Sequence, residues 1–145
     1  MTSERVLVWF MRLTAAVMLL AFGGAVMPFS WMEICHRAMG LGDMPSAPIV
    51  KYLARSTSAL YGYIGVLFLV LSRDVRRYLP LIGLQGWMCV ASVIPLYILD
   101  TSSGMPDSWT MGEVPSPLIQ GVVILWLVAR VRKAQAAEDA KIGST

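Results

Sequence analysis

The chain has one histidine, His36, two cysteines, Cys35 and Cys89, and charged side chains at only 14% of its positions. No Ser/His/Asp set, paired carboxylates, phosphate-binding loop or clustered histidine ligands can be assembled from it. No Asp or Glu lies in the middle of an apolar stretch, which argues against a proton-coupled carrier, since such a carrier needs a titratable carboxylate on its path. Two cysteines give no disulfide framework, and with Cys89 inside an apolar segment and Cys35 outside one, no pairing is expected. No basic run carries interleaved aromatics, so the net charge of +3 does not point to nucleic acid as a partner. There is no internal repeat or low-complexity tract, and the two halves differ in loop length and charge, unlike an inverted-repeat transporter. This scarcity of chemistry leans away from an enzyme, and no cofactor is predicted.

What is abundant is apolar. Hydrophobic residues make up 57% of the 145 positions, and the mean hydropathy is +0.64. A soluble domain of this size has no interior large enough for that surface, so the expected solvent is a lipid bilayer. A membrane-spanning helix needs about 20 mostly apolar residues. Four stretches qualify: Val6 to Met27, Ile49 to Leu71, Leu79 to Leu99 and Val114 to Ala129. The third has no charge, and the fourth opens on Pro115-Ser116-Pro117, with Ser116 as the expected N-cap. Arg5 and Arg12 before an apolar stretch also match a secretory signal, with Ala21-Phe22-Gly23 as cleavage pattern. The stretch runs on through Val26, and only a retained helix gives an even number of crossings, so a retained span is expected.

Lys and Arg are distributed unequally between the segments joining the spans. One side holds Arg5, Arg12, Arg73, Arg76, Arg77, Arg130, Arg132, Lys133 and Lys141; the other holds Arg37, Lys51 and Arg55. The positive-inside rule makes the first side cytoplasmic and places both termini there. The expected fold is all-α, an integral membrane four-helix bundle, N-in and C-in, in the bacterial cytoplasmic (inner) membrane. Residues 1–133 form the four-span domain and 134–145 a polar cytoplasmic tail, a helix continuing out of the membrane and then fraying.

Between the first two spans, Ser30-Trp31-Met32-Glu33 matches a capping box, and Gly40 suits the position just past a helix end. The pattern predicts a short amphipathic helix from Trp31 to Met39 on the outer face, with Glu33 and Arg37 paired one turn apart. Met32, Cys35, His36 and Met39 follow i, i+3, i+4, i+7 and share one helix face. Thioether, thiol and imidazole together suit Cu(I), although Met and Cys also fill apolar gaps at the same spacing. The Cys35-His36 pair lacks the upstream cysteine of a haem-attachment motif, and haem held through His36 alone stays open. The loop from Asp100 to Ser116, with Gly104, Pro106, Gly112 and Pro115, reads as turn-rich, with Trp109 near the interface.

The second span holds a charge that is out of place. From Ala59 to Leu71 there are 13 apolar residues, only about 20 Å of helix. The hydrocarbon core is about 30 Å thick, and Arg73 pins the inner end. The helix must draw further turns from its outer side, which takes Arg55 into the outer leaflet and leaves Lys51 near the interface. Arg55 shares a face with Lys51, Ser58, Gly62 and Gly65, and Ala54, Ser58 and Gly62 form a small-xxx-small pattern for close helix approach. Its candidate partners are Asp100, Glu33, Glu113 and the phenols of Tyr52 and Tyr61. A structural ion pair or snorkelling to lipid phosphate accounts for such a charge, as does a pocket for an anionic or polar head group.

Arg12-Leu13 opens the first span, a Pro-containing outer segment follows, and Arg55-Ser56-Thr57-Ser58-Ala59-Leu60-Tyr61-Gly62 runs into the second. With the basic inner turn and Gly104-Met105-Pro106 after the third span, this layout resembles the DoxX-like small four-helix membrane proteins and neighbouring families. That group often carries a further polar or basic residue in the third span, where Val90 to Leu99 here has only Ser92. The resemblance implies a four-helix membrane fold working alongside redox or membrane complexes. Three functions follow as expectations: a non-catalytic accessory subunit of a larger membrane complex or homo-oligomer; a binder of a lipid, quinone or other amphipathic ligand around Arg55; and an outer-face Cu(I) site.

Overall fold

The computed structural model describes residues 2–142. They form seven helices and no strand: α1 (Ser3–Ala21), α2 (Gly23–Val26), α3 (Phe29–Ala38), α4 (Pro48–Leu71), α5 (Leu79–Ser102), α6 (Asp107–Glu113) and α7 (Pro115–Ile142). Four stretches are long and apolar enough to cross a membrane: Ser3–Val26, Pro48–Leu71, Leu79–Ser102 and Asp107–Ile142. Only 17–28% of each apolar window is buried. Large apolar side chains such as Trp87, Ile94 and Trp126 stay exposed, the outward apolar surface that lipid requires and water does not tolerate. The all-helical fold and the four spanning-length helices are those expected of an integral membrane protein.

Several boundaries differ from the sequence reading. α3 starts at Phe29, with Pro28 at its N-cap and no side-chain cap. The Pro28 carbonyl accepts the amides of Trp31 and Met32 at 3.0 and 3.2 Å. Ser30 therefore lies inside the first turn, and the capping box does not form; proline supplies the entry geometry instead. The other end follows expectation. Gly40 has φ +78°, its amide meets the Arg37 carbonyl at 3.0 Å, and the Leu41 amide meets His36 at 3.2 Å. This is a Schellman motif, which needs a left-handed residue at that position.

The segment from Asp100 to Ser116 is more helical than its turn residues suggest. α5 runs on to Ser102, the chain turns at Gly104 (φ +67°), and α6 follows. Within α6 the Trp109 indole donates to the Glu113 carboxylate one turn on. Val114 has helical φ and ψ, so α6 leads almost directly into α7. Ser116 then sits within the first turn of α7 rather than capping it. Pro115 and Pro117 fit there because the first helical amides need no intrahelical partner. α7 continues through Arg130 to Ile142; residues 143–145 of the expected tail lie outside the described residues. The Arg130 guanidinium lies 4.1 Å from the Trp126 ring centroid, a cation–π contact that suits the end of an apolar segment.

The chain divides into two compact units: residues 11–70, and the first ten residues together with 71 onward. In the first unit, α4 runs antiparallel to the end of α1 and to α2, and small residues set the approach. A Cβ at Gly65 would come within 3.1 Å of the Ala15 carbonyl, one at Gly62 within 2.5 Å of the Phe22 ring, and one at Gly24 within 2.5 Å of the Ser58 hydroxyl. The small face predicted for the second span is thus a packing face.

In the second unit, α5 and α7 are antiparallel and meet at Gly86 and Gly121. A Cβ on Gly121 would stand 2.6 Å from the Gly86 carbonyl oxygen. Such closeness lets backbones pack where water provides no hydrophobic drive. The turn before α5 is tied to both ends of this unit by Arg76, which meets Glu4 at 2.9 Å and Glu138 at 3.1 Å. The hydrogen bond and charge of Glu4, seconded by Glu138, hold the Arg76 pKa above its ordinary value.

Candidate functional site

The N-terminal third of α4 carries a cleft that brings together three of the predicted ligand-binding residues, Lys51, Tyr52 and Arg55. Its volume is about 530 Å³, and it is lined by Ala25, Pro48, Lys51, Tyr52, Arg55, Ser56 and Ala59. Helical spacing explains the α4 wall, because 48, 51, 52, 55, 56 and 59 recur every three or four residues and share a face. Ala25 of α2 supplies the opposite side. The Pro48 ring starts the helix, and the Ser56 hydroxyl is used locally, donating to the Leu53 carbonyl at 3.1 Å.

Each cation is positioned by a neutral group. The Lys51 ammonium sits 4.1 Å from the centre of the Phe29 ring. Arg55 Nη2 approaches the Met27 carbonyl at 3.5 Å, a length at which the hydrogen bond is weak. Neither contact neutralises charge. The unit of residues 11–70 contains only two carboxylates, Glu33 and Asp43. Both are engaged by Arg37, at 2.9 and 2.8 Å. The i, i+4 pair of Glu33 and Arg37 is as the sequence predicted, and it removes Glu33 as a counter-ion for Arg55. Within this unit, Lys51 and Arg55 are cations without an anion.

Tyr61 does not line the cleft, whereas Tyr52 does and is exposed. In the other unit, Glu113 accepts the Trp109 indole. Asp100 is buried near the end of α5, and its Oδ2 has no hydrogen-bond partner among the described residues. Of the four expected copper ligands on α3 and at its C-cap, Met32 is buried while Cys35 and Met39 are exposed, and His36 Nδ1 lies 3.0 Å from the Gly42 carbonyl. Among the described residues no group of three or more His, Cys, Asp and Glu is placed to hold a metal ion.

Sequence reasoning missed Phe29, Met27, Ala25 and Pro48 as parts of this site. Phe29 and Met27 act through a ring face and a backbone carbonyl, and Ala25 offers only a methyl wall, so none carries a pattern. Comparison with protein families, characterised proteins and solved structures found no match.

Proposed function

We propose that this is a non-catalytic protein of the bacterial cytoplasmic membrane, a four-helix bundle with both termini cytoplasmic, that binds an amphipathic ligand in the outer-leaflet cleft around Arg55. The orientation rests on the Lys/Arg asymmetry of the segments between helices. The DoxX-like layout agrees with a small membrane-embedded bundle. The observation that carries the reading is the cleft: mostly apolar walls, two oriented cations and no carboxylate of that unit left to neutralise them. Ligand sites combine concave apolar walls with a few convergent polar groups, at volumes of about 300–1,000 Å³. Charged groups at membrane depth mark such sites. Mass spectrometry of small molecules co-purified in mild detergent tests it. The wild type carries an amphiphile in about stoichiometric amount, and Arg55→Ala loses it with assembly intact.

A second reading, an accessory subunit of a larger membrane complex or a homo-oligomer, is supported by the large apolar side chains left exposed on every spanning helix. They offer faces to partner helices as readily as to lipid. Purification of the chain alone, with no stoichiometric protein partner and no self-association, counts against it.

A further inference from the structure

We infer that the occupant of this cleft is an anionic phospholipid, held by its phosphate between Lys51 and Arg55 with an acyl chain along Ala25 and Ala59. The inference rests on the amphiphile reading above and deepens it by assigning the head group. Three observations lead to it.

The first is charge. With Glu33 and Asp43 both engaged by Arg37, the unit offers Lys51 and Arg55 no counter-ion. Placing two cations side by side near low dielectric is costly unless an anion joins them. A quinone or other neutral head group has only carbonyl or hydroxyl dipoles and leaves both charges uncompensated. A phosphodiester brings a full negative charge and several acceptor oxygens.

The second is spacing. Lys51 and Arg55 stand one turn apart on α4, so their Cβ atoms are about 5–6 Å apart on the same face. The planar guanidinium can offer two parallel N–H groups to one pair of phosphate oxygens, and the ammonium reaches another as a point charge. The Phe29 ring already holds the Lys51 ammonium on this side, which lowers the entropy lost on binding, and Arg55 is turned weakly toward the Met27 carbonyl.

The third is depth. Counting from Leu71 along α4 at about 1.5 Å per residue, Arg55 lies about 24 Å and Lys51 about 30 Å away. In a hydrocarbon core of about 30 Å, Lys51 is level with the head groups and Arg55 one side-chain length below them. Ala59, a turn deeper, lies where an acyl chain runs. The site therefore meets a lipid in its natural register, which a free phosphate ion would not occupy.

The test uses the full chain in detergent micelles, offered equal amounts of phosphatidylglycerol and phosphatidylcholine of matched acyl chains, with retained lipid read by native mass spectrometry. The wild type keeps one phosphatidylglycerol, and Lys51→Gln and Arg55→Gln each weaken that preference about tenfold, the low end for a charge-assisted hydrogen bond. Arg55→Lys, which keeps the charge and loses the fork, is intermediate. Arg12→Gln, which removes an exposed cation of the same unit on α1 and leaves Arg37 paired with Glu33 and Asp43, leaves the preference intact. Equal retention of both lipids by the wild type overturns the inference, as does a preference that survives in the Lys51→Gln/Arg55→Gln double variant. Arg55-dependent retention of a neutral amphiphile without head-group preference removes the phospholipid assignment and leaves the amphiphile reading standing. Retention of no amphiphile at all removes both. Arg55-dependent capture of a membrane protein in place of lipid also overturns the assignment.

Discussion

Glycine-to-alanine substitutions along α5 and α7 form a graded series whose order the structure sets. At Gly83 a new Cβ would meet only side-chain tips, at 3.6 Å from Arg132 and 3.7 Å from Val128. These are ordinary contacts, and alanine improves helix propensity by about 1 kcal/mol over glycine. Gly83→Ala should therefore be neutral or stabilising. At Gly86 the new methyl would stand 3.0 Å from Ile124 Cγ2 and Leu125 Cγ, tight contacts that those side chains relieve in part. At Gly121 it would stand 2.6 Å from the Gly86 carbonyl oxygen and 2.8 Å from Val90 Cγ2. A backbone oxygen does not rotate away, so the helices must separate by several tenths of an ångström along the contact. Overpacking of this kind costs about 1–3 kcal/mol, and the propensity gain offsets only part of it. Unfolding of each variant in mixed micelles, titrated with a denaturing detergent, gives the order Gly83→Ala, then Gly86→Ala, then Gly121→Ala from most to least stable. A Gly121→Ala protein as stable as Gly83→Ala would refute the reasoning, because α5 and α7 would then not be in backbone contact.

Other predictions follow from single residues. Cys35 is exposed on α3 and Cys89 lies within α5, so a membrane-impermeant maleimide should label Cys35 from outside the cell and leave Cys89 unlabelled; labelling of Cys35 only after permeabilisation reverses the topology. Arg76→Gln should make unfolding less sensitive to salt, since the ion pairs of Arg76 with Glu4 and Glu138 are exposed and screened in the wild type. The Arg76 pKa is raised in the folded state, so its contribution is present throughout neutral pH and is lost only as pH climbs through that raised value in strong alkali; a pH-dependent loss traced to Arg76 near neutrality would contradict this. Asp100→Leu, which replaces a buried carboxylate having one oxygen without a partner among the described residues by an apolar group of similar size, should keep the fold and leave its stability unchanged or raised. Destabilisation measured in the same micelle assay would mean that the carboxylate has a partner of its own.

The four long helices were legible in the sequence because runs of apolar residues near twenty leave the backbone few other ways to satisfy its hydrogen bonds in lipid. The end of α3 was equally legible, since Gly40 supplies the left-handed residue that a Schellman motif needs. Its start was not. Ser30 and Glu33 fit a capping box by spacing, but Pro28 two residues earlier fixes the entry, and Arg37 takes Glu33. The helical character of 107–113 was hidden by Pro106, Gly112 and Pro115, which read as turn residues although a proline before or at the first helical turn is compatible with starting a helix. The misplaced charge of Arg55 was visible from the short apolar run behind it. The walls of its cleft were not, because they depend on α2 folding back along α4 and on a backbone carbonyl, which no residue pattern encodes.

The proposed occupant of the cleft beside Arg55 is an amphiphile. Photocrosslinking in native membranes, with a phospholipid that carries a diazirine in its acyl chain, addresses it most directly. Adducts are expected on the peptides containing Ala25 and Ala59 and are lost in Arg55→Ala, while adducts at the exposed Trp87 and Trp126 persist. Adducts spread evenly over all exposed apolar positions and indifferent to Arg55 would contradict it, leaving the cleft as ordinary lipid-facing surface.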